Sequence, residues 1–273
     1  MSSFPCNAGA VPFFPAHDFE QKRAAIFKHI AGSQRLAEVR PASRLEVREH
    51  PEMLSTGIPE IDALSGGIPR GCLSEMYGAA SSGKTSALLA VIASATRRNE
   101  TCVLIDASDS FDPASGQAAG MDFGNLLWVR CGRHKSTKRD HGEYRLEQVL
   151  KSTDLILQSG GFGLVALDLA GIPEKFVRRI PLASWFRFQR AVEHTKTALL
   201  VISEFRCAES CAALIFKFES QFSAVSHESS VKPAHTQLLE SVQLQVEIVR
   251  SRLERKPVQS VKTEFTALAV RAR

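Results

Sequence analysis

Residues 78–85 read GAASSGKT, a Gly-x-x-x-x-Gly-Lys-Thr pattern. Each fixed position in it has a chemical task. Gly78 and Gly83 let the backbone turn sharply, so that the N–H groups of Ala79, Ala80, Ser81 and Ser82 can face inward as an anion nest. A helix that starts at Lys84 adds the positive end of its dipole. Lys84 is expected to reach the β- and γ-phosphates of a nucleoside triphosphate, the Thr85 hydroxyl to ligate Mg²⁺, and Ser86 to continue the first turn. ATP and Mg²⁺ are therefore the expected cofactors. A second acidic position fits the same chemistry. The run Leu164-Val165-Ala166-Leu167-Asp168 is an apolar strand ending in an acid, and Asp168 would hold a Mg²⁺-bound water beside the phosphate.

The elements needed to position these groups are legible in the hydrophobic pattern. Residues 73–77 read as a short strand leading into the loop, and 84–97 as the helix leaving it. Strands are expected at 101–106, 126–129, 162–169 and 197–203, with helices at 145–158 and 184–195. Strands alternating with helices imply βαβ units, so the expected fold is α/β, a mostly parallel sheet flanked by helices. Residues 242–249 and 262–270 alternate in polarity around a polar ERKP bend, and read as antiparallel strands added at the C-terminal end of the sheet. The expected organisation is an arm, helix and linker over 1–50 and a nucleotide-binding core over 51–273. In the arm, Pro5, Pro12 and Pro15 preclude a regular helix, while Phe4, Phe13, Phe14 and Phe19 supply apolar anchors, either for this core or for another subunit. A helix is expected over 18–31 with Asp18 as its N-cap.

Composition places few further limits. Of 273 residues, 44% are hydrophobic and 23% charged, so the chain can bury a real core and global disorder is excluded. The N-terminus has no basic stretch before an apolar run, and no apolar run is long enough to span a membrane. The six cysteines are thus expected to be reduced thiols in a cytoplasmic protein. Cys207 and Cys211, or Cys131 with His134 and His141, lack the paired spacing of a zinc site.

On these residues the chain resembles a known family. LSTGIPEIDALSGGIPRGCLSEMYGAASSGKTSALL is similar to the opening of the RecA recombinase ATPase core, and CVLIDASDSFDPASGQAAGMDFGNLLWVRC continues it with similar spacing. The short length, the RRIPLASWFRFQRA segment and the missing C-terminal domain resemble the ImuA-type proteins, RecA-like accessories of damage-induced mutagenesis. The resemblance implies phosphate and Mg²⁺ roles for Lys84 and Thr85, a metal-side acid at Asp168, and an acid near the adenine at Asp112. It implies partners as well: an ImuB-type polymerase-like protein and RecA itself. Single-stranded DNA is a further candidate partner, on the strength of the chain's basic stretches.

Three positions depart from the recombinase pattern. The glutamate that activates the attacking water is Ser108 here, with Asp109 beside it. The Asn-Gln pair that senses the γ-phosphate is Ser203-Glu204. The adenine-stacking tyrosine is Ser115. A serine hydroxyl is no base at neutral pH, and loss of a general base costs about 10²–10⁴-fold in rate. Asp109 and Glu204 are the remaining candidates for that role. The expectation is nucleotide binding with weak or absent hydrolysis. An active DNA-dependent ATPase and an interaction module with a vestigial loop are the alternatives.

The net charge of +5 is compatible with a polyanion partner. Basic residues cluster at 130–145, at Lys175, Arg178, Arg179, Arg187, Arg190 and Lys196, and at Arg250, Arg252, Arg255 and Lys256. Trp185 and Phe188, three apart, share one helix face, which suits a core or an interface better than a platform for bases. Residues 205–236 stand where recombinases place their second DNA loop, but contain no glycine.

Overall fold

The computed structural model describes residues 16–31, 50–131, 141–221, 241–253 and 262–268. The chain divides into two compact units, Met1–Glu49 and His50–Arg273. In the first, helix α1 spans Ala16–Ala31. It begins two residues before Asp18, which therefore lies within the first turn instead of capping it. Between residues 20 and 29 only Phe27 is partly covered, with the Arg23 guanidinium 5.6 Å from its ring centre.

The second unit is built on an eight-stranded sheet in the order β10-β9-β8-β3-β7-β6-β4-β5. Its strands are β3 (Leu73–Gly78), β4 (Cys102–Asp106), β5 (Leu126–Arg130), β6 (Leu164–Asp168), β7 (Ala198–Ser203), β8 (Leu214–Gln221), β9 (Ser241–Ser251) and β10 (Lys262–Leu268). From β8 to β5 every pairing is parallel, while β9 and β10 are antiparallel. The parallel strands β4, β6 and β7 are buried at every position. That is why they read as continuous apolar runs with no alternation: helices cover both faces. The fold is α/β and RecA-like, with a mostly parallel sheet and antiparallel strands at the C-terminal end. A separate ribbon pairs β1 (Met53–Leu54) with β2 (Ile68–Pro69) around α2 (Pro59–Ser65).

Two cores lie on opposite faces of the sheet. One holds Met76, Leu104, Ala166 and Leu200 under α3 (Lys84–Arg97). The other holds Leu73, Val103, Val165 and Val201 under α5 (His141–Ser159) and α7 (Leu182–Val192). Trp185 and Phe188 belong to this second core, edge to face with centroids 6.0 Å apart, a favoured geometry for buried rings. The shared face of α7 is thus core, and Phe186 is the aromatic that points outward, at 45% exposure.

Several boundaries differ from the expectation. Helix α7 starts at Leu182 because Pro181 pre-sets the entry dihedral, and it has ended before His194, whose φ of 64° is incompatible with a helix. Helix α5 extends back to His141. The expectation for 205–236 changes most. Its Leu214–Gln221 portion is β8, a strand paired on both sides, with Leu214, Ile215, Phe216 and Phe218 buried. Residues 222–236 lie outside the described residues, as do 132–140 of the first basic cluster and Arg255 and Lys256 of the third.

Candidate nucleotide site

The phosphate loop lies where β3 gives way to α3. Ser81 at φ 62° and Gly83 at φ 87° adopt the left-handed conformation that turns the chain around the nest. No side chain could be accommodated at Gly78: a Cβ there would lie 2.4 Å from the Phe218 carbonyl oxygen and 2.6 Å from Ser82 Oγ. Ala79, Ala80, Ser81, Thr85 and Ser86 are exposed, whereas Ser82 and Lys84 are buried. Lys84 Nζ donates to the Ala79 carbonyl at 3.0 Å, so the ammonium already lies over the loop. Burial lowers its pKa, and the Glu204 and Asp168 carboxylates oppose that shift. Ser82 Oγ is buried with no hydrogen-bond partner.

Sheet register brings the acids to the same end. Asp106 on β4 pairs with Asp168 on β6, Asp168 pairs with Ile202 on β7, and Ser203 on β7 pairs with Tyr77 on β3. The residue after Ser203 therefore leaves β7 beside the start of the loop. Asp168 is 6% exposed, and its Oδ1 accepts the Ala170 N–H at 2.9 Å. Burial, with the nearby Asp106 charge, raises its pKa from 3.8 to about 6 against the pull of Ala170 and Lys84. Thr85 and Asp168 offer a hydroxyl and a carboxylate, the hard oxygen donors that Mg²⁺ takes together with phosphate oxygens. Among the described residues no cluster of three or more His, Cys, Asp or Glu could hold a metal by itself.

Asp106 had no role assigned from the sequence, yet it organises the whole turn after β4. Its fully buried carboxylate accepts the N–H groups of Ser108, Ser110 and Phe111 and the Trp128 Nε1–H, at 2.9–3.3 Å. The sequence signal was present: like Asp168, it ends a fully apolar strand. The turn carries Ser108 against Gly171, just beyond Asp168, where a glycine Cβ would meet Ser108 Cβ at 3.2 Å. Ser108 thus packs against the turn that follows the β6 acid. Asp109, at φ 59°, is turned to Arg130 and held bidentately at 2.5 and 2.9 Å. The same guanidinium lies 4.3 Å from the Trp128 ring centre.

Asp112 and Ser115 are exposed and engaged with each other. Asp112 caps α4 (Pro113–Ala118), accepting the Ala114 and Ser115 N–H groups and the Ser115 hydroxyl. These bonds, the Ser115 hydroxyl's first, hold its carboxyl below the ordinary value.

Glu75 was also missed. This lone acid within an apolar strand is fully buried on β3 and accepts the N–H groups of Cys207 at 2.5 Å and Ala208 at 3.2 Å. Desolvation raises its pKa in spite of those bonds. Cys72, Cys102, Cys131, Cys207 and Cys211 form no disulfide with one another, and among the described residues no helix is long and apolar enough to cross a membrane.

The RecA N-terminal domain family matches residues 42–175. Protein RecA of Acinetobacter baylyi is 38% identical over 119 residues, which cover 43% of this chain and 31% of that protein. The chain thus matches about a third of the length of this relative. The family match spans the phosphate loop, Asp106 and Asp168, and together with the sheet order it supports a RecA-like fold.

Proposed function

We propose that this chain is a cytoplasmic, ATP-binding, RecA-like accessory of DNA repair, of the ImuA type, that works in damage-induced translesion mutagenesis by docking partners and turns ATP over weakly or not at all. The partners in this reading are an ImuB-type polymerase-like protein, RecA and, through its basic surfaces, single-stranded DNA. Lys84 and the backbone N–H groups of residues 79–84 hold the phosphates, and Thr85 and Asp168 hold Mg²⁺. The metal, when bound, neutralises phosphate charge. Asp112, committed to the α4 cap, contributes to the base side only by fixing that turn.

The observation that carries the weak-turnover reading is the state of Asp109. A general base must reach the water whose proton it takes, and the carboxylate adjacent to Ser108 is instead tied bidentately to Arg130. Glu204 is the other candidate base, and its charge acts on Lys84. The test is nucleotide binding by calorimetry and phosphate release by a coupled assay, each with and without single-stranded DNA, for the wild-type chain and Lys84→Ala. Expected is binding that Lys84→Ala abolishes, with little hydrolysis in either condition. DNA-stimulated turnover at recombinase rates refutes the reading, and so does a Lys84→Ala chain that binds nucleotide like the wild type.

A further inference from the structure

We propose that the phosphate site discriminates against the nucleoside triphosphate in favour of the diphosphate, because Glu204 holds a carboxylate in the region where a γ-phosphate would lie. The inference rests on the nucleotide-site reading above and adds to it which phosphate state the site prefers.

Strand register supplies the placement. Strand β7 lies between β3, which leads into the loop, and β6, which ends in Asp168. Ser203 is level with Tyr77, one residue short of Gly78, and Ile202 is level with Asp168. Glu204 therefore emerges between the lysine that would reach the β- and γ-phosphates and the acid that would sit on the metal side. Lys84 feels both carboxylates, that of Glu204 first. Two negative groups thus face one lysine before any ligand arrives. A diphosphate brings the charge that the nest and Lys84 complement, whereas the third phosphate adds charge next to Glu204.

The chain cannot readily carry Glu204 away. Ser203 Oγ donates to the Phe205 carbonyl at 2.5 Å, which closes the turn immediately around it. The Cys207 and Ala208 N–H groups are then bound to the buried Glu75 carboxylate. Glu75 lies on β3, three residues before Gly78, so the loop strand itself anchors the segment that carries Glu204. Glu75 is a positioning residue in this scheme, and Glu204 is the discriminating one. Because Glu204 is exposed, water screens its charge. At water-like to intermediate screening over a few ångströms, the effect on relative affinity is about three- to tenfold.

The experiment is calorimetric titration of the full chain and of Glu204→Gln with Mg²⁺-ADP and with a Mg²⁺-bound non-hydrolysable ATP analogue. Glu204 is on the surface, so the substitution leaves the core intact, and a thermal melt of each chain checks this. The diagnostic quantity is the ratio of the two affinities. In the wild type it should favour the diphosphate, and Glu204→Gln should move it about three- to tenfold toward the triphosphate. A ratio unchanged by Glu204→Gln, or a wild type that prefers the triphosphate, overturns this inference and leaves the nucleotide site standing. Failure of both nucleotides to bind the wild type overturns the site reading and this inference together.

Discussion

Gly83→Ala offers a test of how the antiparallel end of the sheet is joined to the phosphate loop. Gly83 sits at φ 87°, and a non-glycine residue in that conformation costs about 1–2 kcal/mol. A Cβ there would also lie 2.6 Å and 2.8 Å from the two methyl carbons of Leu244. Leu244 is on β9 and only 6% exposed, so relieving the overlap means moving a packed side chain, at about 1–3 kcal/mol. The total is roughly 2–5 kcal/mol, or about 5–15 °C in melting temperature for a unit of this size. Leu244→Ala alone costs about 2–5 kcal/mol through its cavity. In the double variant the added methyl enters the space that the leucine vacated, leaving mainly the backbone term. The double variant should therefore be more stable than the sum of the single effects predicts, by about 1–3 kcal/mol. Urea denaturation of the four chains measures the cycle. Strict additivity, or a Gly83→Ala chain that melts with the wild type, refutes the contact between β9 and the loop.

Two further outcomes follow from the acids. Asp168 has its pKa raised from 3.8 to about 6, so its neutral form is favoured by folding. Its contribution is fully present below pH 3.8 and is lost as pH rises through about 6, a swing of roughly 3 kcal/mol. Asp168→Asn should accordingly gain stability relative to the nucleotide-free wild type between pH 4 and pH 7, by up to about that amount; a stability difference that stays flat with pH in urea titrations contradicts it. Asp106→Ala leaves the N–H groups of Ser108, Ser110 and Phe111 and the Trp128 indole without their acceptor. A buried donor left unpaired costs about 1–3 kcal/mol; these four are only partly buried, so water offsets part of this for each. A loss of at least about 3 kcal/mol in chemical denaturation is expected, and a loss below 1 kcal/mol would show that the carboxylate does not organise the turn.

What the sequence determined by itself is local. The Gly, Lys and Thr positions of the loop, the helix leaving it and the apolar strands ending in acids are set by spacing over a few residues. The backbone conformations and burial periods they encode need no distant partner. The parallel core and the antiparallel end were legible for the same reason, since continuous apolar runs and alternating ones report how many faces of a strand are covered. Tertiary structure decided the rest. Leu214–Gln221 contains polar Lys217 and Glu219, and only its place between β3 and β9 makes it a core strand. Asp109 looked available as a base until Arg130, distant in sequence, took hold of it. Asp112 looked like a ligand-side acid and serves as a helix cap. Glu75 is an isolated acid in the sequence, and it is pairing of β3 with β7 that lets it anchor the segment behind Glu204. Charged groups acquire their roles from partners that the sequence does not place nearby, so their chemistry is settled only when the sheet brings the strand ends together.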